Sequence, residues 1–368
     1  MTVLTFVALA VGLVCLVAGA ELLVRGAASI ASRLGIAPVI IGLTVVAFGT
    51  SAPELAVSVS AGLGGEGEVA FGNVVGSNIV NILLILGGSA IIGGLAVSQR
   101  IIRLDIPLLV GASLLALVLS LDNEIGRLDG ALLFAGIVAY TSWLVRVARN
   151  ERADVLEEYD EAVDELEVEV VDKPLPVQVA LVLVGLGILV AGSQLLVGSA
   201  TDIAEELGVS DLVIGLTVVA VGTSLPELAT SLMAAVRGQR DIAVGNVVGS
   251  NLFNLLCVLG ATGVVSPDAI PVTTGSLQID FPVMLAATVV LLPIVWRGFQ
   301  IERWEGIVLV AFYAVYVAFL VLDASDHDAA GVLGPTALVV APLVALGFSV
   351  AGVQAWRRHR AGLPVTAG

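Results

Sequence analysis

Two glutamates sit where an ionisable side chain is least expected. Glu54 lies in AFGTSAPEL (Ala47 to Leu55) and Glu227 in AVGTSLPEL (Ala220 to Leu228), each inside a long apolar run, and the two stretches differ at only two positions. In a helix, steps of three and four put Ala47, Thr50, Ser51, Glu54 and Ser58 on one face, and Ala220, Thr223, Ser224, Glu227 and Ser231 on its mate. Pro53 and Pro226 cannot donate to the carbonyls of Gly49 and Gly222, so each run should break there and free backbone oxygens beside a carboxylate. A second motif follows each time. GNVVGSNIVN carries Asn73, Ser77 and Asn81 at steps of four, and GNVVGSNLFN carries Asn246, Ser250 and Asn254.

These groups are hard oxygen donors, and no His or Cys joins them, which makes zinc, copper and iron poor candidates. Calcium, which takes roughly six to eight oxygens in a flexible shell, fits well, and sodium fits too. Two carboxylates balance one Ca²⁺ or two monovalent cations. The site is then neutral in either loaded state and costly to leave empty, so exchange follows more naturally than leak.

The surroundings raise the stakes. With 58% hydrophobic residues, 13% charged and a mean hydropathy of +1.05, most of the 368 residues cannot be the surface of a water-soluble globule. Apolar runs long enough to cross a bilayer recur near 3–24, 37–63, 69–96, 104–121, 128–148, 175–200, 211–236, 242–265, 277–296, 304–322 and 333–356. The chain reads as an all-α integral membrane protein of eleven spans. An ionisable residue in mid-membrane costs at least about 2.5 kcal/mol and marks function by default. The first run is not read as a secretory signal, because no positive residue precedes it. If spans alternate, fifteen of the sixteen Lys and Arg fall on one side and only Arg127 on the other. The positive-inside rule then puts the N-terminus outside and the C-terminus in the cytoplasm, across the plasma membrane. Cys15 and Cys257 are isolated within spans and read as packing residues.

An internal repeat organises the rest. Residues 42–87 align without a gap to 215–260, an offset of 173, with about 28 of 46 positions identical. LVAGAELLV at Leu16 matches LVAGSQLLV at Leu189 at the same offset. Corresponding spans are five apart, an odd number, so the second half must cross the membrane in the opposite direction. That inverted-topology repeat is an architecture from which secondary transporters build a midplane site. Residues 1–149 form one five-span half, 150–173 an acidic cytoplasmic linker, 174–322 the inverted half, and 323–368 an extra span with a basic tail. Gly72, Gly76, Gly245 and Gly249 are expected to let helices approach closely. The Asp-x-Pro pairs at Asp105 and Asp280 are expected to be helix starts, an Asp cap before an early proline.

Eleven acids between Glu151 and Asp172 account for much of the net charge of −16. They lack EF-hand spacing and read as a solvated linker rather than a calcium sensor. Such acidity also suits a salty cytoplasm. No nucleic-acid partner is expected. An enzyme would need a nucleophile with a base, but His327 and His359 lie in the last loop and the tail, so the chain is not expected to be one. A channel could use the same oxygens, but two carboxylates enclosed in an inverted repeat favour alternating access.

The paired G-T-S-x-P-E and G-N-x-x-G-S-N motifs, joined by an acidic loop, resemble the alpha repeats of sodium/calcium exchangers of the calcium:cation antiporter superfamily. The resemblance covers spans 1 to 10. It implies a ten-helix core in which spans 2, 3, 7 and 8 hold the ions while spans 1 and 6 slide across them. It also implies that Glu54 and Glu227 ligate calcium and serve sodium, and that Thr50 and Thr223 add calcium oxygens. Ser51, Ser77, Ser224 and Ser250, with the carbonyls of Ala47 and Ala220, would line sodium sites, and Asn81 and Asn254 complete the ion-ligand set, Asn254 still offering calcium an oxygen. Some members have Asp where this chain has Asn254, which puts potassium coupling in doubt. No resident cofactor is implied; Ca²⁺ and Na⁺ are the transported ions. A calcium/proton antiporter is the alternative, since a glutamate pair can release calcium by taking up protons.

Overall fold

A computed structural model describes residues 3–150, 174–207, 220–296 and 298–324. The acidic linker, the first part of span 7, both histidines and the expected eleventh span lie outside them. Among the described residues, eight helices are long and apolar enough to cross a bilayer, and one further span is a pair, Pro38–Thr50 and Ala52–Leu63, bent by 44°. Leu225–Val236 supplies the second half of span 7. The remainder is helical save for turns and four two-residue strands, so the chain is an all-helical membrane protein built on the inverted repeat.

Spans 1 and 6 are longer than the hydropathy suggested. They run Val3–Leu34 and Leu175–Glu206, 32 residues each, or roughly 48 Å at 1.5 Å per residue. A helix that exceeds the roughly 30 Å hydrocarbon core crosses it at a tilt. A glycine seam packs them together. Gly12 and Gly19 of span 1 press on Gly192 and Gly185 of span 6, where an added Cβ would come within 2.9 and 2.8 Å of the facing carbonyl oxygens; Gly26 meets Val182 and Gln178. A spacing of seven keeps these residues on one face, and the partner numbers fall as the others rise, so the pair is antiparallel. Arg25, charged but still within the helix, finds Glu21 one turn back.

Spans 3 and 8 form the interior. Span 8, Arg240–Val265, is buried along its length, and span 3, Gly67–Gly93, along most of its own. Gly245 and Gly249 do what was expected of them, meeting Val39, Leu43 and Ala47 of span 2 at Cβ distances of 2.8–2.9 Å. The corresponding partners of Gly72 and Gly76 would be residues 212, 216 and 220, most of which lie outside the described residues.

The short strands report the topology independently. β1 (Leu95–Ala96), after span 3, pairs antiparallel with β4 (Gln300–Ile301), after span 9. β2 (Glu124–Ile125), after span 4, pairs with β3 (Ile270–Pro271), after span 8. Loops of equal parity meet, as alternating spans require, and each pairing is the mate of the other. Spans 5 and 10 start alike. Gly126 N–H donates to Asp129 at 2.9 Å and Glu302 N–H to Glu305 at 2.8 Å, each an acid in the first turn reaching back. Arg127 donates to the carbonyls of Ser266 and Pro267, and Arg303 to that of Ile92, so the start of spans 5 and 10 is tied to the end of spans 8 and 3, each in the other half.

The Asp-x-Pro expectation is corrected. Asp105 and Asp280 end π-helical stretches, Ile101–Asp105 and Ser276–Asp280, that run straight into the following helices, so neither starts one, and the Asp105 side chain makes no capping bond. Their carboxylates face inward instead. Tyr140 O–H donates to Asp105 at 2.9 Å and Tyr316 O–H to Asp280 at 2.8 Å. In a low-dielectric interior a carboxylate with a tertiary donor is far better placed than one left bare.

Candidate ion-binding site

The break in span 2 falls at Ser51, whose φ of −83° and ψ of 7° depart from the helix, with Pro53 in the first turn of the segment that resumes. Span 7 repeats it at Ser224, φ −86° and ψ 8°, with Pro226. Because the proline has no N–H, the chain cannot continue its ladder there, and each half-helix opens with a glutamate in its first turn. The N-terminal end of a helix carries partial positive charge, which favours a carboxylate at that place.

The oxygen stripe points inward. Ala47, Thr50, Ser51, Glu54 and Ser58 are all at most 1% exposed, while Phe48 on the same turn is 59% exposed. In the other half Ser224, Glu227 and Ser231 are wholly buried; nothing is described of the Ala220 side chain, which starts the helical turn Ala220–Gly222. Lipid receives the apolar residues and the interior receives the oxygens, as an unpaired polar group in hydrocarbon would cost several kcal/mol.

The two breaks meet face to face. Ser51 Oγ donates to Glu227 Oε1 at 2.8 Å, and Ser224 Oγ donates to Glu54 Oε1 at 3.0 Å. Each glutamate therefore accepts from the serine that precedes the other by three residues. The carboxyls lie within coulombic reach of each other, with Thr223 beside Glu54 and with Thr50 and Ser250 beside Glu227. In both, the second oxygen, Oε2, is buried without a hydrogen-bond donor.

Spans 3 and 8 brace this crossing. Asn73 donates to Glu54 O at 3.2 Å and to Ser58 Oγ at 2.9 Å, and accepts from Thr223 at 3.3 Å. Asn246 does the same in mirror image, donating to Glu227 O at 3.5 Å and Ser231 Oγ at 3.0 Å and accepting from Thr50 at 3.2 Å. Each asparagine thus fixes the break of its own half and holds the threonine of the other. Asn73 and Asn246 lie outside the ligand set that the resemblance implies; the signal for them is their place on the same stripe as Ser77 and Ser250. The Ala47 carbonyl accepts from Ser51 N–H at 3.0 Å and Thr50 Oγ at 3.4 Å.

Further along, Ser77, Asn81, Ser250 and Asn254 are buried, with Ser77 Oγ, Ser250 Oγ, Asn81 Oδ1 and both amide atoms of Asn254 unpartnered. Asn81 lies in the π-helical stretch Val80–Leu86 and Asn254 opens the stretch Asn254–Val258. Such wide turns cluster at functional sites. A buried interior lined with oxygens that no protein donor satisfies is suited to a cation. Among the described residues no group of three or more His, Cys, Asp or Glu converges; the donors are two carboxylates supplemented by neutral oxygens.

Comparison with known proteins gives a consistent picture. The sequence model of the family described as sodium/calcium exchanger protein matches residues 4–146 and 177–322. CaxA of Alkalimonas amylolytica is 42% identical over 311 residues, covering 83% of this chain and 95% of that protein. The sodium/calcium exchanger MaX1 of Methanosarcina acetivorans is 34% identical over 351 residues, covering 88% of this chain and 99% of its own. Among solved structures, the sodium-calcium exchanger NCX_Mj soaked with 2.5 mM Na⁺ and 0.1 mM Ca²⁺ superposes with a TM-score of 0.73 at 30% identity, covering 86% of this chain and 99% of its own.

Proposed function

The chain belongs to the sodium/calcium exchanger protein family, and from that premise we propose that it exchanges Ca²⁺ for Na⁺ by alternating access, expelling Ca²⁺ on the inward Na⁺ gradient. The observation that carries this reading is the reciprocal crossing of the breaks, Ser51 to Glu227 and Ser224 to Glu54, which joins the only two buried glutamates of the repeat motif in one place. Ca²⁺ would bridge the two carboxylates and draw further oxygens from Thr50 and Thr223. Sodium would use the same carboxylates together with Ser51, Ser77, Ser224, Ser250 and the carbonyls of Ala47 and Ala220, and the amide oxygens of Asn81 and Asn254 would serve either ion.

Electrostatics supplies the coupling. One Ca²⁺ or two Na⁺ cancels the charge of the pair, so a loaded site can pass between access states, whereas an empty one would carry two uncompensated charges through a low-dielectric interior. No covalent chemistry enters this cycle, and the chain acts as a carrier rather than an enzyme. The distribution of Lys and Arg supports an N-terminus outside and a cytoplasmic C-terminus, with the plasma membrane as the proposed location.

The deciding experiment is calcium flux in vesicles with a sodium, potassium or proton gradient imposed alone. Uptake driven by sodium alone is expected. Uptake driven only by protons would replace this reading with calcium/proton exchange, and flux that needs no opposing gradient would replace it with a channel.

A further inference from the structure

Asn251 lies outside the ligand set proposed above, yet it holds one of that set's members. Asn81 Nδ2 donates to Asn251 Oδ1 at 2.9 Å, a bond that crosses from one half of the repeat to the other. Both residues are at most 1% exposed. A primary amide has two ends of opposite sign: its oxygen can ligate a cation, while its NH₂ is a pure donor that repels one. Which end faces an ion is therefore a matter of what holds the other end. With Nδ2 engaged by Asn251, Asn81 presents Oδ1, which has no partner of its own.

We propose that Asn251 is a positioning residue: by accepting from the Asn81 amide it fixes the oxygen of Asn81, and not its NH₂, toward the transported cation. This inference rests on the reading that the Asn81 oxygen is an ion ligand. Outer groups that orient metal ligands act in this way, and their loss weakens metal binding roughly 10- to 100-fold. The mates show the contrast. Asn254 corresponds to Asn81 and Asn78 to Asn251, but both amide atoms of Asn254 and both of Asn78 are unpartnered although buried. Of the two amide ligands, one is held by a hydrogen bond and the other has none. A carboxylate in place of either ligand would need no such partner, because both of its ends are oxygen.

That last point supplies the test, made by calorimetric titration of Ca²⁺ alone into the purified full chain. Asn251→Leu, close in size but unable to accept, should weaken Ca²⁺ binding roughly 10- to 100-fold. Asn251→Asp, which still accepts, should match or exceed wild type. In an Asn81→Asp background the same leucine should cost nothing, since there is no amide left to orient. Unchanged affinity in Asn251→Leu would overturn the proposal, as would an equal loss in both backgrounds, which is the signature of a merely structural role. If leucine prevents folding, Asn251→Ala in the two backgrounds reads the same difference. Wild-type protein that binds no Ca²⁺ would overturn the exchanger reading itself and this inference with it, whereas wild-type binding with an insensitive Asn251 overturns this inference alone.

Discussion

The two halves of the repeat carry the same motifs but do not make the same bonds. LVAGAELLV at Leu16 and LVAGSQLLV at Leu189 differ at two positions, and both differences are used. Ser193 Oγ donates at 2.7 Å to the carbonyl of Gly222, the one that Pro226 leaves without a helical donor. Its mate, Ala20, has no hydroxyl to offer Gly49. Glu21 accepts from Arg237, at the end of span 7, with Nε at 2.9 Å; the mates Gln194 and Gly64 carry no charge. Were the halves identical in sequence, a two-fold turn would convert one access state into the other at no cost in free energy. Any preference between the states must therefore reside in positions where the halves differ. Both of these positions tie a long outer helix to span 7.

The largest effect should come where the halves agree. Glu54→Gln and Glu227→Gln should each abolish sodium-driven calcium uptake in proteoliposomes, because either one leaves a single negative charge against a divalent ion and replaces an oxygen end by an NH₂. The losses should be alike. Exchange retained in one variant but not the other would show that the symmetric crossing does not reflect symmetric work.

Next in size is a contrast of stability between the two buried aspartates. Asp105 is wholly buried, with Arg100 Nε 3.8 Å from its second oxygen and the Arg100 guanidinium stacked 5.3 Å over Trp143. Asp280 is only partly buried, and Gly275 stands where Arg100 does. Asp105→Ala leaves a largely buried arginine without its carboxylate and should cost about 3–5 kcal/mol. Asp280→Ala removes a charge-assisted hydrogen bond and should cost about 1.5–3 kcal/mol. Thermal unfolding in detergent ranks them. Equal losses would remove Arg100 from the account.

What the sequence disclosed, and what it withheld, follows from the range of the forces involved. Hydropathy and the 173-residue offset carried the order of the ten core spans and the inward face from Ala47 to Ser58, because burial is written into local periodicity. The lengths of spans 1 and 6 were not legible from hydropathy. Arg25 and Asp202 look like helix ends, yet the two helices run on to Leu34 and Glu206. Asp105 and Asp280 looked like caps because Asp before Pro does cap locally, and the tyrosines that claim them lie 35 and 36 residues away. Asn251 follows Ser250 by one residue, about 100° off the stripe in a regular helix, so its role could not be read from spacing. Its identity with Asn78 in the other half was the available signal.

A smaller effect tests the first asymmetry. Ser193→Ala removes one neutral hydrogen bond, worth about 1 kcal/mol, and should shift the populations of the two access states about fivefold without changing calcium affinity in either. Spin-label distances between spans 6 and 7 would report the shift. Adding Ala20→Ser to the same variant should move the preference toward the opposite state, since the tether then belongs to the other half. No shift in either variant would mean that the Gly222 carbonyl is equally well satisfied in both states.

The smallest effect belongs to Glu21, and its character separates it from the rest. The Arg237 side chain is 49% exposed and that of Glu21 18%, so solvent and salt screen the pair, and its worth is at most about 1 kcal/mol. Arg25 also reaches Glu21, so removing the carboxylate releases two cations at once. Glu21→Gln should therefore loosen the hold of span 1 on span 7 at low ionic strength and leave the equilibrium almost untouched in high salt, where the Debye length falls to about 3 Å at 1 M. The Ser193 effect, buried and uncharged, should persist in both. Installing the charges in the other half by Gln194→Glu with Gly64→Arg should bias span 6 toward span 2 with the same salt dependence. Gly64 has φ −78° and so tolerates a side chain there. A Glu21 effect that survives 1 M salt would place the pair in a drier setting than its exposure indicates, and the two tethers would then act by the same means.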